Sequence, residues 1–212
     1  MKLANEGSLC ADLEYVITMP DLCDVTFLVG PDCVPVYGIQ AVIAARSSAF
    51  YQLVLARRQT PNKATEKSTV RKALSKFRKL YRGPKQPKDS GQTPKLTIDV
   101  PDFDPDTFRR LVKYIHSGMV RTDPSSVVGL LNAAHVFGLG DLRDACWRFS
   151  LTCIRPQTVG DIVRACKRYS EFEQTHRLMQ EVLAQVQGCP DVVDYSPEVK
   201  RDLRENAHRC SL

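Results

Sequence analysis

The chain has 212 residues, of which 43% are apolar, 25% charged and 8% aromatic, as in a globular protein with one or two hydrophobic cores. This composition excludes collagen, a wholly disordered chain and a disulfide-rich miniprotein. The formal net charge of +6 raises the question of nucleic acid or an anionic membrane as a partner. However, residues 57–95 contain 13 basic and only two acidic side chains, so the rest of the chain is acidic. The basic character belongs to one segment.

The sequence predicts an intracellular protein, cytoplasmic or nuclear. No apolar run approaches the roughly 20 residues that span a bilayer, and the N-terminus becomes polar too early for a signal peptide. In a reducing compartment, cysteines remain free thiols, and no two of them have Cys-x-x-Cys spacing. We therefore expect free thiols at Cys10, Cys23, Cys33, Cys146, Cys153, Cys166, Cys189 and Cys210.

The first elements are a helix and a β-hairpin. Apolar residues recur at helical spacing from Leu9 to Ile17, which predicts a short amphipathic helix ending near Pro20. Residues 25–29 alternate between core and surface types. Turn residues at 30–32 separate them from a second strand at 34–37, a pattern typical of a hairpin.

The next elements are helices interrupted by one strand. Residues 40–55 are rich in Ala and Leu, which predicts a largely buried pair of helices. After the basic segment, residues 96–100 alternate as a strand. Asp104-Pro105 then predicts a helix start and Gly118 its end, and Asp123-Pro124 repeats the starting signal.

The remainder of the chain is predicted to be helical, up to a polar tail. Apolar stripes at helical spacing fall within residues 127–134, 142–153, 159–169 and 172–186. A small sheet flanked by these helices corresponds to an α+β fold.

Several of these segments also carry a family resemblance. Five segments resemble the motifs of the BTB (POZ) domain in order and spacing. They are Asp24-Val25-Thr26-Phe27-Leu28-Val29, the run at 41–50, the strand at 96–100, Tyr114-Ile115-His116-Ser117-Gly118 and the helices at 130–142. The resemblance implies a BTB/POZ domain over residues 8–153, with residues 57–95 as a basic insert. Residues 154–187 are similar to the first helices of a BACK domain, and residues 188–212 are left as a tail.

The resemblance implies a homodimer. BTB domains commonly dimerise through their first helix, which here presents one apolar face formed by Leu9, Leu13 and Val16. The alternative is that this face packs on its own domain. In a dimer the interface would be isologous, so each residue would meet the corresponding patch of the partner.

The sequence departs from the family pattern at two places, one in the core and one at a partner-binding element. Ile39 stands where BTB domains usually have a histidine, so we expect a polar core contact to be missing there. The basic insert occupies the region where members that bind cullin-3 carry an apolar-x-Glu element, for which Ala64-Thr65-Glu66 is the nearest match. Whether cullin-3 binds is left open.

The basic insert contains an amphipathic pattern. Apolar residues recur every three or four positions and basic residues fill the positions between them, which predicts a partner-binding helix containing Val70, Arg71, Lys72, Leu74, Lys76, Phe77, Arg78, Lys79, Leu80 and Tyr81. Three interpretations stay open: a solvated loop, a nuclear-import or nucleic-acid patch, and a segment that binds a protein groove or an anionic membrane. Phosphorylation at Thr69 or Ser75 would weaken any such binding to an acidic partner.

We find no signature of an enzyme in the sequence. Phosphate-binding loops, nucleophile elbows and zinc-protease motifs are missing, so we predict no catalytic residue and no cofactor. His116 is interpreted as a packing or hydrogen-bonding residue. His135 with Cys146 or Cys166 offers a metal site only in principle, because structural zinc requires four ligands.

The sequence therefore predicts a non-enzymatic homodimeric adaptor or scaffold. By resemblance, the leading role is that of a substrate adaptor for a cullin-3 ubiquitin ligase. The alternative is a nuclear co-regulator that recruits corepressors and uses the basic insert for import or partner binding.

Overall fold

The computed structural model describes residues 8–58 and 96–187, together with Pro197 and Arg201. The elements of these residues, in chain order, are α1 (Ser8–Val16), a 3-10 helix (Pro20–Leu22), β1 (Val25–Val29), β2 (Val34–Gly38), α2 (Gln40–Arg46), α3 (Ser48–Arg58), β3 (Leu96–Val100), α4 (Pro105–Ser117), α5 (Val127–Val136), α6 (Gly140–Thr152), α7 (Val159–Arg168) and α8 (Glu173–Gln187). The predicted α+β class is confirmed.

The chain divides into two compact units, Met1–Val120 and Arg121–Leu212. The predicted domains, residues 8–153 and 154–187, were assigned by family resemblance, and their boundaries stay predictions. Most of the predicted tail, residues 188–212, lies outside the described residues. Among the helices that are described, none is long and apolar enough to cross a membrane.

The first unit is built on a three-stranded sheet with the order β2-β1-β3. β1 and β2 pair antiparallel, from Val25 with Gly38 to Val29 with Val34, which confirms the predicted hairpin. β3 pairs parallel to β1, from Val25 with Leu96 to Val29 with Val100. Because side chains alternate along a strand, the odd-numbered residues of β1 are buried and the even-numbered ones are half-buried.

Three phenylalanines form the centre of this unit. Phe27 of β1, Phe50 of α3 and Phe108 of α4 are completely buried. The Phe27 ring centroid lies 5.4 Å from that of Phe50 and 4.9 Å from that of Phe108, in tilted arrangements that favour aromatic pairs. The cluster therefore joins the sheet to both a helix before β3 and a helix after it.

The prediction that the helix pair at 40–55 is largely buried is wrong for most of its surface. In α2 the fully buried residue is Ile43, and in α3 these are Phe50 and Val54. Tyr51 is 47% exposed. Alanine combines a small side chain with a high helix propensity, so it suits exposed helix positions as well as buried ones. The Ala-rich composition therefore overstated the burial.

The predicted ends of α4 are confirmed. The Asp104 carboxylate accepts a hydrogen bond from the Thr107 backbone N–H at 2.9 Å, and Pro105 occupies the first turn. Gly118 follows the helix with a φ of 77°, and its N–H donates to the Tyr114 carbonyl at 2.8 Å. That left-handed conformation suits glycine, so the sequence signal at Gly118 has a physical cause.

The helix after Asp123-Pro124 begins later than this signal predicts, because Asp123 binds the turn that precedes it. Its Oδ1 accepts from the backbone N–H groups of Ser125 and Ser126, at 3.0 and 3.1 Å, and so closes a turn ahead of the helix. α5 itself begins at Val127. The prediction that Asp123-Pro124 starts this helix is therefore wrong, because Asp123 binds backbone donors of the preceding turn and does not cap α5.

The second unit is organised around α5. Residues 127–134 are all buried, as expected for a helix that is apolar on every side. α5 contacts α6, α7 and α8. These neighbours supply apolar stripes, among them Leu142 and Cys146 of α6, Val159, Ile162, Val163 and Cys166 of α7, and Leu178, Met179, Val182 and Val186 of α8.

Candidate interaction surface of the first unit

The apolar face of α1 is only partly covered within the chain. Leu9 is 57% exposed, while Leu13 and Val16 are half-buried. These positions lie on one side of the helix because they are spaced by four and three residues. The face predicted for dimerisation is therefore available to a partner at Leu9 and partly occupied at Leu13 and Val16.

α1 is also fixed to its own unit. It packs along α4, where the Glu14 carboxylate forms an ion pair with Lys113. The Cys23 thiol lies 3.8 Å from the Val16 carbonyl at the end of the helix. α1 thus packs on its own domain while Leu9 stays exposed.

The exposed large apolar side chains of the described residues all belong to the first unit: Leu9, Tyr15, Leu22, Tyr51 and Met119. We did not identify the last four from the sequence. Tyr15 lies off the periodic stripe of α1, and Leu22 and Met119 lie beside helix ends, where periodicity gives no signal.

The start of α2 is held by two side chains that lie outside this helix. The Asp24 carboxylate accepts a hydrogen bond from the Gln40 N–H at 2.6 Å. The Nε2 atom of His116, on α4, accepts one from the Ile39 N–H at 3.0 Å. We expected a polar contact to be missing at Ile39, and the structure shows one made by His116 with the backbone. Both bonds satisfy N–H groups that an isolated helix would leave unpaired.

The His116 ring is neutral in this arrangement. Its Nδ1–H donates to the Val112 carbonyl at 2.8 Å while Nε2 accepts, which assigns the tautomer from the bonding pattern. Burial of the ring, aided by the positive charge of Arg46, lowers the pKa of His116 below its ordinary value, and the bond to Val112 opposes this only in part. His116 therefore acts as a hydrogen-bonded core residue at neutral pH.

The other end of α2 also contacts α4. The Arg46 guanidinium lies over the Tyr114 ring, 5.6 Å from its centroid, within the range of a cation–π interaction. The same guanidinium lies close to Gly118. α2 is thus joined to α4 at both of its ends.

The predicted partner-binding residues of the insert lie outside the described residues. This applies to Val70, Arg71, Lys72, Leu74, Lys76, Phe77, Arg78, Lys79, Leu80 and Tyr81, and also to Thr69, Ser75 and the Ala64-Thr65-Glu66 element. Their roles stay predictions.

The buried cysteines of the second unit are unsuited to metal binding or nucleophilic attack. Burial raises the pKa of the Cys146 and Cys166 thiols to about 12 in each case, so both stay protonated at neutral pH. His135 is exposed. Within residues 8–58 and 96–187, no group of three or more His, Cys, Asp or Glu side chains could hold a metal ion.

Comparisons with known families and proteins give one family match and one curated relative. A family model described as the BTB/POZ domain matches residues 73–154. The "Serine-enriched protein" of Drosophila melanogaster is 36% identical over 198 residues, which covers 84% of this chain and 15% of that protein. The chain thus spans a small part of the curated relative that it matches.

Solved structures with some likeness include two BTB domains. That of human Gigaxonin has 15% identity and a TM-score of 0.41, and the likeness covers 70% of this chain and 96% of that one. That of zebrafish PATZ1 has 14% identity and a TM-score of 0.43, with coverage of 70% and 97%.

Proposed function

This chain carries a BTB/POZ domain, a protein–protein interaction module, and from that premise we propose that it works as a non-enzymatic homodimeric adaptor. The observation that supports the dimer is the exposure of Leu9 beside the half-buried Leu13 and Val16. Burying such a side chain against a partner stabilises association by about 1.5–3 kcal/mol. In an isologous dimer each contact occurs twice, so this face would contribute its burial twice to the pair.

We predict that Leu9→Glu disrupts this dimer. The substitution places a charge in the interface twice, so the dissociation constant should rise at least about tenfold, which corresponds to 1.4 kcal/mol. Sedimentation of the full chain at micromolar concentration measures it, with the unaltered chain expected to be dimeric.

The matched control is Leu22→Glu. Leu22 is 60% exposed, much like Leu9, but it lies outside α1. The control should sediment as the unaltered chain does. A monomeric unaltered chain, or equal effects of the two substitutions, would contradict a dimer formed through α1.

We further propose that the adaptor holds cullin-3, as a substrate adaptor of a ubiquitin ligase inside the cell. The proposal comes from the family resemblance, and the test asks whether residues 59–95 limit binding. A pull-down with purified cullin-3 tests it on two proteins: the full chain, and a variant in which a short Gly-Ser linker replaces residues 59–95. Because α3 ends at Arg58 and β3 begins at Leu96, this variant retains both elements.

We expect the linker variant to bind at least as well as the full chain. Binding by the variant alone indicates that the insert covers the cullin surface. Failure of both proteins contradicts the ligase role and favours the nuclear co-regulator.

The charge of residues 57–95 supports that second candidate, since 13 basic residues are typical of an import or anion-binding segment. Nuclear localisation with and without the insert then tests it.

A further inference from the structure

The hydrogen bond between His116 and Ile39 exists in only one protonation state of the ring. We propose that His116 is an acid-sensitive latch that holds the start of α2 against α4. Nε2 can accept from the Ile39 N–H at 3.0 Å only while it carries no proton. Nδ1 already donates to the Val112 carbonyl at 2.8 Å. Protonation would therefore turn an acceptor into a second donor that faces another donor.

The ring has little room to avoid this conflict by moving. His116 is only 2% exposed. β2 lies against it at Gly38, where even an added Cβ would lie 3.3 Å from the ring Cε1 and 2.6 Å from Ile43 Cδ1. On the other side, the bond to Val112 fixes the ring to its own helix. The contact that must give way is the one to Ile39.

The charges around the ring also oppose its protonation. Burial is the largest cause of the lowered pKa of His116, the bond to Val112 acts in the opposite direction, and the positive charge of Arg46, from α2, lowers the pKa further. On α4 the neighbouring cation, Lys113, is paired with Glu14 of α1. β2 contributes the uncharged Gly38. Asp24 is the carboxylate near the start of α2, and it accepts from the Gln40 N–H.

α2 is the element that would be released. It has seven residues, of which Ile43 alone is fully buried, so its attachment depends on few apolar contacts. α4, by contrast, buries Phe108, Leu111, Val112 and Ile115. Acidification should therefore loosen α2 while α4 keeps its place, and neutral pH should restore the contact.

Hydrogen exchange of the full chain, read by mass spectrometry and corrected for intrinsic rates, tests the latch. When the pH is lowered from about 7.5 to about 5, the protection factor of the peptide covering residues 38–46 should fall at least about tenfold. The protection factor of residues 105–117 should stay unchanged. In His116→Gln, which cannot titrate, the two pH values should give equal protection at 38–46. His135→Gln, at an exposed histidine, should retain the full pH effect.

Two results of the exchange experiment would overturn the latch. One is unchanged protection of residues 38–46 in the unaltered chain at about pH 5, and the other is persistence of the pH effect in His116→Gln. A measurement on the unaltered chain covers the case in which the variant does not fold. NMR of the His116 ring in the folded chain should give a protonation midpoint below that of a free imidazole, because acid favours opening only if the closed ring binds its proton more weakly than the released ring. A midpoint at or above the ordinary value counts against the proposal.

Discussion

Replacement of Phe27 by alanine is expected to lower the free energy of unfolding by about 4 kcal/mol, as for other fully buried phenylalanines. Phe27 is completely buried and its ring contacts both Phe50 and Phe108. The change would therefore remove the side chain that joins the sheet to α3 and α4. Because domains are stable by only about 5–15 kcal/mol, the first unit would become marginal. Urea denaturation followed by circular dichroism measures the loss.

The control for Phe27→Ala is Tyr51→Ala. Tyr51 is an aromatic residue of α3, next to Phe50, but it is 47% exposed. Its replacement should cost less than about 1 kcal/mol, because much of its surface is already in water. Equal losses for Phe27→Ala and Tyr51→Ala would show that the phenylalanine cluster does not stabilise the unit.

The second large effect is expected at Asn132 in the middle of α5. Its side chain is buried, and its Nδ2 donates to the Val128 carbonyl and to the Thr175 hydroxyl, both at 2.8 Å. Asn132→Asp replaces this donor by a carboxylate oxygen that would face the Val128 carbonyl. Leaving a charge buried without a partner costs about 3–5 kcal/mol, so the variant should be strongly destabilised at neutral pH.

The pH dependence of Asn132→Asp identifies the cause. Burial raises the pKa of a carboxyl group, so the unfolded state would bind fewer protons than the folded state just above the ordinary Asp range. Lowering the pH toward about 5 should therefore recover part of the lost stability. Asn132→Ala, which loses the bonds but introduces no charge, should cost about 1–3 kcal/mol with no such recovery. Identical pH profiles for the two variants would contradict this account.

The features that the sequence predicted well are local ones. The alternation of β1, the carboxylate cap at Asp104 and the left-handed Gly118 each depend on residues within a few positions of one another. The same holds for α1, whose exposed Leu9 lies on the predicted face. Short-range patterns of this kind report backbone conformation and the buried face directly.

The features that were missed join distant parts of the chain. Ile39 and His116 are 77 positions apart, and Asn132 and Thr175 are 43 apart. Likewise, alternation showed that residues 96–100 form a strand, but it did not show that they pair parallel to β1. Such contacts arise from the tertiary fold, and a single sequence contains no periodic signal for them.

The order of the strands has a consequence for how the protein behaves at high concentration. In the described part of the chain, β2 and β3 are the two edge strands, and an edge strand offers free backbone groups to another molecule. Pro35 removes one N–H donor from β2, and Asp99 places a carboxylate on β3. Each feature opposes the joining of two sheets edge to edge. The proposed dimer through α1 would thus be able to form without the sheets of its two chains also joining at their edges.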